Sequence, residues 1–576
     1  MKKRRDHEKS QSLRSNDSLT RREFLALSAT TGISLVVGAC APGQPSVRSR
    51  EPFDLIIKGG GLIDGTGAPE RLQDLGIRDG RVVAMGQLDL AQGERVIDAA
   101  GLKVCPGFID IHSHVDTGLF KDPRAESKVH QGVTTEASGM DGDSPAPIEG
   151  PGTDETLAAF KESFGFECPY RDMGGYFDLL EKRKTAQNLV SFVGLGTIRG
   201  TIIGLDNRPA TSEEITAMQK EVRRAIDQGC RGVSTGLEYT PGSYASTEEL
   251  WLVTRAAPEP YRLYATHMRN EADQGLEAIR EAISIARNSG ARLQVSHLKA
   301  QNKRNWANGA RALQMLEEAI AEGIEVHADR YPYIAFSTGL DSLFPLWSRE
   351  GGTAKFLGRL RDAEQIPRIR EAVQKKVEGL SSWEAVLITS VALESDRKYQ
   401  GKTIQQIAQD EHVDPFEFTI DLLQKETGRV EMVGFGMDEP GTELILSWKN
   451  TMVCSDAGAY SPTSSTSRPH PRAYGSFPRA IAWYQRKRKI VTLPEMIRKM
   501  TSLPAQKLGL KDRGVIAIGK WADIVLIDYE NIEDRATYVD PHQFPSGIPY
   551  VLVNGVTVVD KGKQTEELPG KMLRSS

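Results

Sequence analysis

Hydrophobic and polar residues along the middle of the chain follow a regular succession of short strands and amphipathic helices. Thr211 and Glu214 have the spacing of a capping box, and the apolar stripe that follows them ends at Gly229. Strand-like and helix-like runs then alternate, in RGVSTGLEY, RLYATH, GLEAIREAISIARNSG, ARLQVSHLK, ARALQMLEEAIAEG and IEVHADRYPY. This βαβα order predicts an α/β fold with a parallel sheet, and its length favours a closed (β/α)8 barrel.

Both flanks of this middle region are rich in short strands instead. Residues 53–104 contain three β-like runs with glycine-rich turns, and residues 511–572 contain GVIAIGKWADIVLIDYE and the hairpin YVLVNGVTVVDKG. The barrel is therefore predicted over residues 105–510. Segments at about 140–187 and 337–380 interrupt its alternation and are predicted to be lids or insertions above the strand ends.

Composition narrows the class of protein. The chain has 576 residues, 39% of them hydrophobic and 26% charged, with a formal net charge of -4. This lacks the basic excess expected of a nucleic-acid binder, so we expect no nucleic-acid partner. The five cysteines show no CxxC or similar pairing, which argues against a zinc finger or a disulfide framework. Any metal must rest on other ligands.

The N-terminus has the pattern of an export signal. Basic residues at 2–5, the twin arginines Arg21 and Arg22, and the apolar run 26–39 resemble a twin-arginine signal, and the run is too short to be a good membrane-spanning helix. It ends in VVGAC, which resembles a lipoprotein cleavage box with Cys40 as the acylated residue.

We therefore expect residues 1–40 to be a signal and residues 41–52 a polar linker. The protein is expected to be exported by the twin-arginine route and anchored to a membrane through lipid on Cys40, in the periplasm or at the cell surface.

Candidate chemistry gathers at the predicted carboxyl ends of strands. In PGFIDIHSHVD, residues 106–116, the polar side chains stand at alternate positions and share one face. Further candidates end later strands, and the complete set is His112, His114, His267, His297 and Asp456. Parallel strands of a barrel bring these ends to one face, where barrel active sites lie.

Four imidazoles and a carboxylate suit Zn²⁺, which lowers the pKa of water enough to supply hydroxide near neutral pH. We expect one or two zinc ions per chain. Asp110 and Asp116 are expected to orient the histidines rather than to bind metal.

Several motifs together resemble the D-aminoacylase (N-acyl-D-amino-acid deacylase) branch of the amidohydrolase superfamily. They are PGFIDIHSHVD, YATHMRNE, VSHLKAQNKRNW, DRYPY, CSDAG, HPRAYGSFPRAI and the C-terminal tail, and the resemblance covers nearly all of residues 53–572. It implies a TIM-like metal-dependent hydrolase barrel with a small β-sandwich formed from both chain ends. It also implies zinc-dependent hydrolysis of N-acyl-D-amino acids.

The resemblance also implies roles for individual residues. His112, His114, His267 and His297 match the metal ligands, and Asp456 matches the catalytic aspartate that moves a proton from water to the departing amine. A further group matches positions that hold the substrate carboxylate, namely Lys299, Arg472, Tyr239 and either Tyr331 or Tyr333.

One position departs from the pattern. Many relatives have a metal-binding cysteine after GVTT, but residues 132–142 here read GVTTEASGMDG, and the count places Asp141 at that position. Aspartate can bind zinc, with altered metal preference. Glu136 or Glu238 could supply the carboxylate instead, or the site could hold metal weakly.

Three functions follow from these observations. The first is zinc-dependent hydrolysis of the amide bond of a small N-acyl-D-amino acid. The second is a related amidohydrolase activity on dipeptides with a D-residue or on cyclic amides, because one fold hosts many substrates. The third is a non-catalytic ligand-binding lipoprotein, although retention of Asp456 and all four histidines argues against it. The oligomeric state is not predicted.

Overall fold

The computed structural model describes residues 52–575. The predicted export signal, Cys40 and residues 41–51 of the linker lie outside the described residues. Among residues 52–575, no helix combines the length and apolar character needed to cross a membrane.

Strands from both ends of the described chain form one sheet. Its order is β21-β20-β19-β18-β5-β1-β2-β3, with β4 also paired to β1. The two ends meet where β5 pairs antiparallel with β18, in the register Val525 to Cys105. The strands are β1 Phe53–Leu62, β2 Arg71–Arg78, β3 Arg81–Gly86, β4 Gly93–Asp98, β5 Lys103–Pro106, β18 Ile524–Ile527, β19 Tyr550–Val553, β20 Val556–Asp560 and β21 Lys563–Gln564.

Between these ends, parallel strands form a barrel. Strands β6 to β8 pair in order, and β9 to β13 pair in order with β17 at the end. Phe192 alone separates β8 from β9, and Asp456 N donates to His112 O at 2.9 Å, which closes the ring. The strands are β6 Phe108–Asp110, β7 Val133–Ser138, β8 Asn188–Ser191, β9 Val193–Gly194, β10 Val233–Gly236, β11 Leu263–His267, β12 Arg292–Val295, β13 Val326–Arg330 and β17 Thr451–Val453.

Helices cover the strands or lie in the loops. The predicted capping box is confirmed at α5, where Glu214 N donates to Thr211 Oγ1 and Thr211 N donates to Glu214 Oε2. The helices are α1 Glu126–Val129, α2 Thr153–Phe164, α3 Met173–Arg183, α4 Leu195–Ile203, α5 Ser212–Asp227, α6 Thr247–Thr254, α7 Gly275–Ser289, α8 Asn308–Ala321, α9 Leu346–Arg349, α10 Thr353–Arg359, α11 Ile366–Leu380, α12 Ile404–Glu411, α13 Pro415–Lys425, α14 Glu439–Ser447, α15 Arg472–Arg479, α16 Leu493–Met500 and α17 Ser502–Lys507.

A long excursion leaves the barrel between β13 and β17. These two strands pair directly, with Ala328 opposite Thr451, so all residues between them lie outside the barrel sheet. The excursion contains an antiparallel sheet in the order β14-β16-β15, with strands β14 Ala335–Gly339, β15 Val386–Val391 and β16 Val430–Phe435. The lid predicted at about 337–380 is therefore only its first part.

Alternation along β11 shows how the core supports the site. Leu263 and Ala265 pack with Phe192 and Met452 in one apolar cluster, and His267 ends the same face of the strand. Tyr264 belongs to a second cluster that includes the buried faces of α5 and α7. A packed interior thus holds the strand whose last residue is a candidate ligand.

Candidate active site

Asp141 lies at the centre of the candidate ligands. Its Oδ1 is 3.4 Å from His112 Nε2, and its Oδ2 is 3.4 Å from His297 Nε2 and 3.7 Å from both His114 Nε2 and His267 Nδ1. His267 Nδ1 and His297 Nε2 are themselves 2.9 Å apart. One carboxylate therefore contacts two groups of histidines, and each group could hold an ion.

The backbone brings Asp141 to this place through a tight approach. Asp141 follows β7 in the left-handed region at φ 54°. Gly236, at the end of β10, lies so close that a Cβ there would collide with the carbonyl oxygen of Asp141. His297 and Asp456 also have positive φ, 34° and 50°. Non-glycine residues adopt such φ values at a cost of about 1–3 kcal/mol, and they cluster at functional sites.

Buried carboxylates stand behind the histidine rings. Glu271 Oε1 is 2.9 Å from His297 Nδ1, and Asp329 Oδ1 is 3.4 Å from His112 Nδ1. A carboxylate that accepts the proton of one ring nitrogen leaves the other nitrogen free as a ligand. In both rings Nδ1 lies on the side of the buried carboxylate, and Nε2 is the nitrogen that points toward Asp141.

Asp456 faces the same cluster from the end of the last barrel strand. Its Oδ1 lies 3.0 Å from His114 Nε2, and its Oδ2 accepts a hydrogen bond of 2.7 Å from Arg472 Nη1. Burial raises the pKa of Asp456, but the positive charges of Arg472, His297 and His112 outweigh that effect and hold the pKa well below its usual range. Asp456 is therefore an ionised carboxylate.

The histidines lie in a strongly negative environment. Burial lowers the pKa of His112, yet Asp141, Asp329 and Asp456 together raise it well above its usual value. Burial likewise raises the pKa of Asp141, and His112 and His297 lower it well below its usual range. The cluster therefore gathers carboxylates that favour positive charge at its centre.

One cavity of about 1540 Å³ opens onto this cluster and is lined by four of the residues predicted to bind substrate: Lys299, Arg472, Tyr239 and Tyr331. Lys299 Nζ is 2.6 Å from both oxygens of Glu271. The buried hydroxyl of Tyr331 has no hydrogen-bond partner among the described residues.

Of the two alternative tyrosines of DRYPY, the structure places Tyr331, and not Tyr333, in the wall of the cavity. The Tyr333 hydroxyl is within 3.5 Å of Pro471 O and 3.3 Å of Asp534 Oδ2, and it does not line the cavity. Residues two apart in an extended segment would face the same way, but Tyr333 N donates to Tyr331 O at 2.9 Å, and this tight turn leaves only Tyr331 facing the cavity.

The expectation that Asp110 and Asp116 orient the histidine rings is also wrong. Asp110 accepts hydrogen bonds from Lys128 Nζ at 3.0 Å and Ser455 N at 2.9 Å, and Asp116 accepts one from Gly139 N at 2.9 Å. Both carboxylates are used to join neighbouring segments of the chain. Asp329, which had no assigned role, lies beside the ring of His112 instead.

The two alternative carboxylates lie elsewhere. Glu136 is 3.4 Å from Lys128 Nζ in the interior. Glu238 lines the cavity and is 3.9 Å from His267 Nε2, on the side of that ring away from Asp141. Of the three candidates for the missing cysteine, the structure brings Asp141 into the cluster.

Sequence reasoning missed Glu271, Asp329 and Lys128. Glu271 follows His267 by four residues in HMRNE, and Asp329 opens DRYPY next to the last residue of β13, so both carried a positional signal. Lys128 carried none, because it lies in the short helix α1, whereas its partners Asp110, Glu136 and Ser455 lie in or beside the strands β6, β7 and β17.

The donor set fits zinc. Two ligands at tetrahedral corners about 2 Å from one zinc stand about 3.3 Å apart, close to the separations around Asp141. The possible ligand atoms form two groups, each within 4.8 Å: His112, His114, Asp141 and Asp456 in one, and Asp141, His267 and His297 in the other. Both ring nitrogens of His112, His267 Nε2 and Asp141 Oδ1 are buried without a hydrogen-bond partner among the described residues.

A parallel barrel with histidines and carboxylates at the carboxyl ends of its strands defines a metal-dependent hydrolase. Comparisons agree. A model of the amidohydrolase family matches residues 462–559. The chain is 33% identical over 525 residues to N-acyl-D-glutamate deacylase from Alcaligenes xylosoxydans xylosoxydans. The aligned region covers 91% of this chain and 97% of that protein.

Solved structures extend this result. The N-acyl-D-glutamate deacylase from Bordetella bronchiseptica, solved with zinc and a phosphonate inhibitor that mimics the tetrahedral intermediate, has a TM-score of 0.78 and 33% identity, over 91% of this chain and all of that one. A D-aminoacylase with a binuclear metal centre has a TM-score of 0.75 and 32% identity over the same shares. The chain belongs to the D-aminoacylase family of amidohydrolases.

Proposed function

We propose that this protein hydrolyses the amide bond of N-acyl-D-amino acids with zinc as its cofactor, releasing a D-amino acid and a carboxylate. The observation that carries the proposal is the position of Asp141 between two groups of histidines, opposite Asp456 and at the end of a cavity lined by Lys299 and Arg472. The named activities of the relatives support the substrate class.

The cationic side of the cavity would hold the substrate carboxylate. Lys299 and Arg472 both lie near the ring of Tyr331, with Lys299 Nζ 5.9 Å and the Arg472 guanidinium 4.7 Å from its ring centroid. The unpartnered Tyr331 hydroxyl can donate to a carboxylate that these cations attract. This arrangement fixes one end of the substrate beside the ligand cluster.

Zinc held by Asp141, His267 and His297, with or without a second ion at His112, His114 and Asp141, would polarise the amide carbonyl and lower the pKa of water. Asp456 Oδ1, next to His114, is placed to accept a proton from the attacking water and to donate it to the departing amine nitrogen. Asp329 and Glu271 keep the rings of His112 and His297 oriented meanwhile.

Metal analysis and turnover test this function together. The purified mature protein should contain one or two zinc ions per chain and should release amine from N-acetyl-D-amino acids, but not from the matched N-acetyl-L-amino acids. Equal release from both series would contradict the D-specific assignment. Absence of metal after refolding with zinc would favour the ligand-binding alternative.

We propose also that the protein is exported and anchored through lipid on Cys40, because the twin arginines and the VVGAC sequence stand in the order such a signal requires. Cys40→Ala should abolish labelling by radioactive palmitate and release the protein from membranes. Replacement of Arg21 and Arg22 by lysine should leave the precursor in the cytoplasm. A Cys40→Ala protein that keeps its label would remove this assignment.

A further inference from the structure

Glu431 is a carboxylate of the cavity wall to which the proposed reaction gives no role. It lies on β16, in the central strand of the sheet within the excursion, with Gly339 opposite on one side and Ser390 on the other. All three residues line the cavity. The small neighbours leave the Glu431 side chain exposed, although the rest of the strand is buried or half-buried.

The Glu431 side chain has no hydrogen bond or ion pair with any other residue of 52–575. The surrounding wall raises its pKa by desolvation, and the positive charges of His114 and Arg472 oppose that shift. These two groups are engaged elsewhere, since both contact Asp456. The carboxylate therefore faces the reaction cavity without a fixed partner.

The lysines that line the cavity, in contrast, have negatively charged groups beside them. Lys299 is bound by Glu271. Lys376, on α11, donates to Ser342 O at 2.7 Å, and the negative charges of Glu238 and Asp341 act on it. Away from the ligand cluster, the carboxylate of Glu431 is therefore a negative charge of the wall that no cation among the described residues matches.

We propose that Glu431 is a specificity-determining residue that selects substrates with an ammonium or guanidinium group and disfavours those with a second carboxylate. This inference rests on the proposed function and adds the substrate class to it. A carboxylate left unpaired in a cavity gains a charge-assisted hydrogen bond from a cation and repels an anion. The substrate class would then differ from that of the relatives named for D-glutamate.

The cation could be the side chain of the D-residue or the free amino group of an aminoacyl group, and paired substrates separate the two sources. The first pair is N-acetyl-D-arginine against N-acetyl-D-methionine. The second is glycyl-D-alanine against N-acetyl-D-alanine. For each pair, the ratio of kcat/KM is measured with zinc-loaded wild-type protein, Glu431→Gln and Glu431→Lys.

We expect the wild type to favour the cationic member of one pair by at least about fivefold, and Glu431→Gln to remove that preference. The pair that responds identifies the source. Glu431→Lys should raise the ratio of N-acetyl-D-glutamate to N-acetyl-D-methionine. Glu394→Gln is the matched control, because Glu394 is 88% exposed on the same excursion and does not line the cavity; its ratios should equal those of the wild type.

Two results would overturn the inference while leaving the proposed function intact. One is hydrolysis of N-acetyl-D-methionine with ratios that Glu431→Gln does not alter. The other is a wild-type preference for N-acetyl-D-glutamate over N-acetyl-D-methionine. If the zinc-loaded protein hydrolyses none of these substrates, both the proposed function and the inference fail.

Discussion

Arg472 donates a hydrogen bond of 2.7 Å to Asp456, so the cation expected to hold the substrate carboxylate is paired with the expected proton acceptor. An arriving substrate carboxylate would compete for the guanidinium and leave Asp456 a stronger base. Substrate binding and proton transfer are thus coupled through one side chain.

Arg472→Met should lower kcat/KM for N-acyl-D-amino acids by at least about 100-fold, because both the anchor for the substrate and the partner of Asp456 are lost. Arg472→Lys should recover only part of this loss, since an ammonium cannot reproduce the planar guanidinium geometry. Steady-state kinetics on an N-acetyl-D-amino acid and on its carboxamide check the assignment. An equal loss for both substrates would show that Arg472 does not bind the carboxylate.

Asp456→Asn should reduce kcat by about 10²–10⁴-fold, the usual contribution of a general acid or base. The amide keeps the size of the side chain but cannot accept the proton. Zinc content, measured by atomic emission on the same preparation, should stay at the wild-type value. Substantial residual turnover with full zinc occupancy would remove Asp456 from proton transfer.

Asp141→Ala should lose metal, because both ligand groups share this carboxylate. Asp141→Cys places the soft ligand of many relatives at this position. This variant should bind zinc, and its metal preference should shift toward thiophilic ions such as Cd²⁺. Competition with a chromogenic chelator measures both affinities. Full occupancy in Asp141→Ala would show that the histidines hold the metal without it.

Lys128→Met should destabilise the fold by about 3–5 kcal/mol, since it leaves the buried carboxylate of Asp110 without its cation. Burial raises the pKa of the neighbouring Glu136 to about 8, against the lowering effect of Lys128, so Glu136 adds no second full negative charge beside Lys128 near neutral pH. Urea unfolding measures the change. The exposed Lys161→Met is the control and should unfold like the wild type; an equal effect of both variants would contradict the argument.

Acid should destabilise the protein through His130, which is buried and stacked on Phe544 at 3.9 Å. Burial, aided by Arg124, lowers the pKa of His130 from 6.5 to about 4. The unfolded chain therefore binds a proton between those values that the folded chain does not, so stability is lost as the pH falls. His130→Phe should reduce the stability difference between pH 7 and pH 5 by about 2 kcal/mol.

Urea unfolding at the two pH values measures this difference. The exposed His412→Asn serves as its control, because Asn tolerates the left-handed backbone of that position. A pH dependence that is the same in His130→Phe and the wild type would exclude His130 as a source of acid sensitivity.

The periodic parts of the fold and the strand-end ligands could be predicted from the sequence, and the connections between remote segments could not. His267 and His297 end strands whose apolar pattern is plain, and Asp141 was placed by its count from the pair His112 and His114. The full extent of the excursion required the pairing of β13 with β17, which no local pattern encodes. The choice between Tyr331 and Tyr333 stayed open because the turn of DRYPY decides which ring faces the cavity.

The pairing of β5 with β18 has a consequence for synthesis. About 400 residues separate the two strands in sequence, and a ribosome that adds 5–20 residues per second takes roughly 20–80 s to produce them. During that interval one edge of β5 presents unpaired backbone groups to other nascent chains. Newly made protein is therefore most exposed to such mispairing in the period before β18 emerges.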